Sequence, residues 1–434
     1  MSLESLSVTE ASSEIRKGKV SPLDYARALL EHIDRVEPRI EAWVTIDREA
    51  VLAEASKCTR EAKDKSFRGP LHGVPIGIKD IFYTKDLRTT AGSPIFHGFV
   101  PDRDSRAVAK LKQAGAIVLG KTVTTQFALS DPGPTRNPWN TAHTPGGSSS
   151  GSAAAVAARM VPGAIGSQTG GSTARPAAFC GIVGLLPTAS RIGREGVFPL
   201  SWSLDHVGLF ARSVRDIEIL LAVMSESRIE RPAPRGVVRI GVIRDFFYSK
   251  CTEEARALHD AVVKRLANTK VLVEEARLPA VFEVATIAHR LIMRTEAGAA
   301  HEGLHNEHAE SYGPRIRALV ESGLLVDSTP YLRALRIRKH YQKEMAALFS
   351  KWDVLLTPSA TGPAPQGLAS TGDSILNLPW TMADFPTISL PHTLASNGLP
   401  VAIQLTAPPL QEGVLLQIAG KLEQAIEFRQ QPKL

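Results

Sequence analysis

Cysteine is scarce in this 434-residue chain: Cys58, Cys180 and Cys251 are the only three. They share no paired spacing, so neither a disulfide framework nor a zinc knuckle is indicated, and a reducing compartment is expected. Long apolar runs are missing too. The start, MSLESLSVTEASSEIRKGKV, has no apolar core of a signal peptide, and the apolar stretch AAAVAARMV is broken by Arg159. A membrane span is therefore excluded and a soluble cytoplasmic protein expected. No block of like charge suggests a disordered tail, and with 43% hydrophobic and 22% charged residues the composition is that of an ordinary globular protein.

The net charge of +7 weakly favours anionic partners. Its densest basic cluster, Arg333, Arg336, Arg338 and Lys339, alternates with Leu and Ile at helical spacing. That pattern reads as the solvated face of an amphipathic helix, so no nucleic-acid partner is expected.

Ser7 with Glu10 forms a capping box and Ser21-Pro22 with Asp24 opens a second helix, so residues up to about Lys65 read as three helices. GPLHGVPIGIKDIF then suggests a short strand delivering Lys79 and Asp80. Helices at Ser105 to Ala114 and Ser152 to Met160 alternate with a buried strand at Ala116 to Leu119, the pattern of an α/β protein. RPAPR at Arg231 to Arg235 reads as a stiff connector, followed by the strand VVRIGVI and a helix from about Glu253 to Leu266. VLLTPS near Leu355 and VAIQL near Ile403 are apolar enough to join the first sheet. The expectation is one layered domain over residues 1–434: a helical segment at 1–65, a core at 66–225, and a part at 236–434 that completes the sheet, with peripheral helices near 280–345.

Three short motifs fit familiar patterns but not the physics behind them. GAIVLGKT, Gly115 to Thr122, has P-loop spacing, yet its centre is a strand run that cannot wrap amides around phosphate. HEGLH, with His301, Glu302 and His305, has zinc-protease spacing but a glycine in the helix and no third ligand, so it reads as polar residues on an exposed helix. GSSSG would make Ser149 an elbow nucleophile, but a Pro-Gly loop precedes it and nothing selects His206 or His392 as partner.

The stretch GGSSSGSAAAVAARMVPGAIGSQTGGS, Gly146 to Ser172, has too much bare backbone for these readings. A phosphate cradle, a serine nucleophile with its oxyanion hole, and a flexible linker compete for it. In Gln168-Thr169-Gly170-Gly171-Ser172, successive amides can curl into a nest of N–H donors beside a hydroxyl, as a tetrahedral oxyanion requires. The serine still needs a base, and a lysine desolvated at the end of an apolar strand, as Lys79 is, can serve as a neutral amine.

GVPIGIKD, GAIVLGKT, GPTRNPWN, PGGSSSGSAAAV, GSQTGGS, RPAAFCGIVGL and SLDHVGLFARSVRD together resemble the amidase signature hydrolases. Ser148 and Ser172 lie 24 residues apart, as in that family's pattern. The resemblance implies a large twisted mixed sheet covered on both faces by helices. It implies a Ser-cisSer-Lys triad in which Ser172 attacks an amide, Ser148 on a cis peptide bond relays the proton, and Lys79 is the base. Thr169, Gly170, Gly171 and Ser172 would supply the oxyanion hole, with no metal and no cofactor. Ser149, Ser150 and Ser152 are expected to hydrogen-bond within their loop, and Asp80 and Asn137 to orient it. Gln126 and Leu186 depart from the family, which commonly has an acid and a lysine there.

The nucleophile region looks like that of bacterial malonamidase-type members. Arg175 could clamp the carboxylate of a malonamate-like half-amide or pair internally. The alternative is the glutaminase subunit of a tRNA-dependent amidotransferase, a branch that typically carries Asp where Gln168 stands. A homodimer is compatible with the resemblance, though no interface is marked in the sequence.

Overall fold

The computed structural model describes residues 2–129, 131–230 and 236–434; the connector read at Arg231 to Arg235 lies outside them. Among the described residues, eleven strands form one mixed sheet in the order β1-β3-β2-β4-β6-β5-β10-β11-β9-β7-β8. The first six are β1 Trp43–Thr45, β2 Pro75–Lys79, β3 Ile117–Thr122, β4 Gly163–Gln168, β5 Val183–Leu186 and β6 His206–Ala211. The other five are β7 Val238–Val242, β8 Val271–Glu275, β9 Val354–Pro358, β10 Thr387–Leu394 and β11 Pro400–Thr406. The two runs join where β10 pairs antiparallel with β5, Thr387 opposite Leu186.

Strand β2 is parallel to both neighbours, β3 and β4. It is buried along its whole length, so it reads as a continuous apolar run rather than an alternating one. Side chains alternate between two apolar layers all the same. Ile76, Ile78, Ile165 and Leu209 join one cluster, whereas Ile117, Leu119, Ala164 and Phe210 join another. Helices Val8–Arg16, Arg106–Gln113, Val214–Met224 and Glu412–Ile426 cover the first face. Arg48–Lys63 and Ser150–Ala157 cover the second, and Pro22–Ile40 contributes Leu29 to one and Leu30 to the other.

Small residues let Ser150–Ala157 lie against the strands: a Cβ on Gly151 would sit 2.3 Å from the Val123 nitrogen. The motif GAIVLGKT contains β3, and its Lys121 is fully buried, 3.4 Å from Asp80 and donating to the Phe82 carbonyl at 2.6 Å. No phosphate cradle forms there.

Helices Phe282–His308 and Ser328–Ala347 form a third layer with Leu378–Ala383, through a cluster holding Phe282, Tyr341 and Trp380, while Pro314–Leu324 turns Ile316 and Val320 into the main core. Arg333, Arg336 and Lys339 are exposed, as their spacing suggested, but Arg338 turns inward to donate to the Met382 carbonyl at 3.2 Å. The HEGLH residues also differ from expectation. His301 and His305 are buried, because their helix packs that face against Tyr312, to whose hydroxyl His301 is bonded at 3.1 Å.

Candidate active site

Lys79 closes β2, and because that strand is interior, its side chain has no exposed surface. The amine donates to Ser148 Oγ at 2.7 Å and to Ser167 Oγ at 2.8 Å. Burial, opposed by the charge of Asp205, pushes the amine well below its usual value, which favours the uncharged form a base requires. Asp205 is half-buried and accepts from Thr169 Oγ1 at 2.5 Å and from the N–H groups of Leu200 and Ser201, each at 2.9 Å.

Ser148 precedes the helix Ser150–Ala157, and its backbone N–H donates to Ser172 Oγ at 3.0 Å. The peptide bond expected to be cis at Ser148 is trans, as is every described peptide bond. The turn is made instead by Gly146 and Gly147, at φ 84° and 65°, a backbone region open to glycine at no steric cost. A Cβ on Gly146 would lie 2.5 Å from the Phe179 ring. No Ser148 Oγ to Ser172 Oγ hydrogen bond is present among the described residues; the two serines meet through N–H and Oγ.

Beyond β4 the chain runs into residues 169–172, whose four amide N–H groups find no acceptor among the described residues. The next two amides are occupied: Gln168 Oε1 accepts from Thr173 at 2.9 Å and Ala174 at 3.1 Å. Four bare donors thus lie beside Ser172, which keeps 8% of its surface exposed. Such a set can stabilise a developing oxyanion.

Ser149 is placed otherwise than the loop reading had it. Its Oγ bridges the backbone N–H and carbonyl of Ser167, both at 3.1 Å, and Ser152 Oγ donates to the Ile165 carbonyl at 2.9 Å. These serines fasten their helix to β4, because the helix begins at once after the turn. His206 is bonded to Asp384 at 3.0 Å, so it serves no Ser149 nucleophile. Asn137 ties the turn to the helix Ala174–Cys180 by donating to the carbonyls of Thr144 at 3.1 Å and Phe179 at 2.9 Å. Asp80 accepts from Thr90 and pairs with Lys121 rather than touching the serines.

Arg175 lies in the first turn of Ala174–Cys180 with 5% of its surface exposed. Its Nη2 donates to Thr371 Oγ1 at 3.3 Å, while Nε and Nη1 have no partner among the described residues. Burial pushes the guanidinium down to about 10, opposed by Asp373. A buried guanidinium with two unmatched donors suits an incoming anion.

A cavity of about 360 Å³, lined among others by Ser167, Thr169, Phe198, Trp202 and Asp205, borders this region. That is the lower range of small-molecule sites. Two other cavities, of about 490 and 470 Å³, touch none of the catalytic candidates. Among the described residues, Cys58, Glu61 and His72 bring ligand atoms within 4.8 Å of one another. Glu61 is bound by Arg68 at 2.7 and 2.8 Å, and burial pushes the Cys58 thiol up to about 11, so the trio fits an ion pair rather than a metal.

Ser167 and Asp205 escaped the sequence reading. Ser167 meets Lys79 only through the β2–β4 register, Ile78 opposite Ile165, which no local pattern encodes.

A family model described as Amidase matches residues 24–416. The A-type subunit of the glutamyl-tRNA(Gln) amidotransferase of Halothermothrix orenii is 33% identical, covering all of both chains. A crystal structure of an amidase is 31% identical with a TM-score of 0.90, covering 96% of this chain and 99% of the other. The 6-aminohexanoate cyclic dimer hydrolase, solved with its substrate, is 26% identical with a TM-score of 0.87, covering 100% and 99%.

Proposed function

Because the chain belongs to the amidase family, we propose that it hydrolyses the C–N bond of a small carboxylate-bearing amide through Ser172, releasing ammonia and a carboxylic acid. The observation that carries this reading is the fully buried Lys79 amine, 2.7 Å from Ser148 Oγ, whose own N–H holds Ser172 Oγ. The N–H occupies one lone pair of Ser172 Oγ; rotation of the serine hydroxyls then brings the Ser172 proton to Ser148 Oγ and turns the Ser148 proton to the lone pair of Lys79, so that Ser148 takes one proton as it gives up the other. Ser172 Oγ bonds to the amide carbon, and the carbonyl oxygen takes the negative charge among the amides of Thr169, Gly170, Gly171 and Ser172. The C–N bond then breaks, and the proton returns from Lys79 through Ser148 to the leaving nitrogen. Water releases the acid from the acyl-enzyme by the same relay. No metal or cofactor enters this scheme.

Arg175 supports a substrate carboxylate, since its Nε and Nη1 stand unmatched among the described residues. Glutamine is such an amide, and the A-type amidotransferase subunits found as relatives support a glutaminase reading ahead of the malonamate-like half-amide. Gln168, where that branch typically carries Asp, favours the free-standing half-amide hydrolase. An ammonia-release screen over glutamine, half-amides of dicarboxylic acids and neutral amides tests both readings. The Ser172→Ala protein is expected to lose at least about 10³-fold in rate, and unchanged release would remove the reading. Arg175→Ala should cut the preference for acidic over neutral amides by about 10- to 100-fold. Ammonia transfer to a charged tRNA, seen only with partner subunits added, would select the amidotransferase role.

A further inference from the structure

Three consecutive carbonyls beside Ser172 are each held by a donor from beyond their loop. His289 Nε2, on the helix Phe282–His308, donates to the Thr169 carbonyl at 2.8 Å. Thr381 Oγ1, on the helix Leu378–Ala383, donates to the Gly170 carbonyl at 3.1 Å. The backbone N–H of Arg175 donates to the Gly171 carbonyl at 3.0 Å. A trans peptide unit is planar, with its C=O and the following N–H pointing opposite ways. Whatever grips the carbonyl of one residue therefore aims the N–H of the next. The N–H groups so aimed are those of Gly170, Gly171 and Ser172, none of which has an acceptor among the described residues.

We propose that His289 and Thr381 are positioning residues of the oxyanion hole, aiming the N–H groups of Gly170 and Gly171 through the carbonyls of Thr169 and Gly170. This rests on reading residues 169–172 as that hole.

Both side chains have little else to do with their protons. His289 is fully buried, and its Nδ1 has no partner among the described residues. Burial pushes its imidazole down to about 4, so it carries one N–H near neutrality, and a carbonyl partner requires that proton on Nε2. Thr381 is oriented by Gln168, whose Nε2 donates to its Oγ1 at 3.0 Å. Gln168 Oε1 is taken by Thr173 and Ala174, which fixes the amide the other way round as a donor. The hydroxyl proton of Thr381 then goes to the Gly170 carbonyl at 3.1 Å in preference to the Asn377 carbonyl at 3.5 Å. The same helix presses on the loop: a Cβ on Gly171 would lie 2.5 Å from Asn377 Oδ1. A chain of bonds thus runs from the helical third layer to the amides that face the reacting carbonyl.

The test needs no natural substrate. A fluorophosphonate phosphonylates an activated serine and sets its P=O oxygen in the same hole, so labelling of Ser172 reads the hole directly. Thr381→Val keeps the side-chain volume and deletes the donor, Thr381→Ser restores it, and His289→Leu and His289→Gln do the same at the second position. Deleting a hole donor outright costs about 10²- to 10³-fold, so misaiming one should lower the maximal labelling rate by about 10- to 100-fold. The half-saturating probe concentration should change by less than about 3-fold, and Thr381→Ser should label within about 3-fold of the wild type. A wild type labelled at Ser172 together with Thr381→Val labelled at the same rate overturns the inference. A wild type not labelled at Ser172 overturns instead the nucleophile reading beneath it. Should His289→Leu fail to fold, Thr381→Val carries the test alone, and an equal fall in Thr381→Ser and Thr381→Val would also overturn it, as it would mark a packing effect.

Discussion

Replacing Lys79 by Met removes the buried amine while keeping most of the side-chain volume, and proton linkage sets the consequence. In the unfolded chain this lysine holds its proton up to its ordinary value of 10.5, whereas burial pushes the folded-state value well below that. Between the two values the unfolded state binds one proton more than the native state. Stability of the wild type therefore rises with pH at about 1.4 kcal/mol per unit across that window, with the penalty complete below the folded-state value and absent above 10.5. The Lys79→Met protein lacks this titration. Within that window the wild type should gain about 1.4 kcal/mol on the variant for each unit that the pH rises. Lys121, which burial pushes down to about 8, titrates in the same window in both proteins and cancels in the difference. Urea unfolding, followed through the fluorescence of the five tryptophans, measures the gap between midpoints at each pH. The variant should also be inactive while more stable near neutrality, the signature of a group kept for function. A separation between the curves that stays constant with pH would mean that Lys79 remains protonated in the folded protein, and the proposed base would be lost.

Lys121→Met leaves the Asp80 carboxyl buried without its cation at 3.4 Å and should cost about 3–5 kcal/mol, read as a lower urea midpoint. Adding Asp80→Asn should restore much of that, and a single variant as stable as the wild type would show that the pair contributes nothing. Gln168→Leu strips the acceptor from the N–H groups of Thr173 and Ala174, at about 1–3 kcal/mol each, and thermal melting checks it. Gly323→Ala puts a Cβ 2.0 Å from the Arg294 carbonyl oxygen, a backbone atom that cannot rotate away, and should cost about 1–3 kcal/mol by forcing two helices apart. Gly303→Ala, with nothing within 4 Å, is the control and should raise stability by up to about 1 kcal/mol; equal melting shifts would refute the packing argument.

Local signals were legible in the sequence wherever the chemistry is local. The capping box read at Ser7 and Glu10 forms with both of its bonds, and the helix expected from Glu253 to Leu266 runs Glu253–Ala267. β3 lies where the apolar run Ala116 to Leu119 placed a strand, extended to Thr122 because both flanking strands continue beside it. β1 was not legible, since three residues are too few for a period and only pairing with β3 defines it. The burial of His301 and His305 was missed for a related reason: a helix of 27 residues hides a stripe whose direction depends on its neighbours. At the site, glycine content singled out Ser172, the end of an apolar strand Lys79, and the family resemblance Ser148, and the fold brings the three into bonded contact. Ser167, His289 and Thr381 carry no mark of their own, because each acts through a contact across the sheet or from the third layer. The trans bond at Ser148 departs from the resemblance, and two glycines in left-handed backbone explain how the turn closes without a cis bond.

The seam between β5 and β10 bears on how the polypeptide matures. Ribosomes deliver the N-terminal half first, and Thr381 is translated 211 residues after Gly170. At about 5–20 residues per second that delay is roughly 10–40 s. During it the nucleophile exists without the helix that grips the adjacent carbonyl, and β5 waits as an open edge for β10. The grip on the Gly170 carbonyl therefore arrives only with the last third of translation.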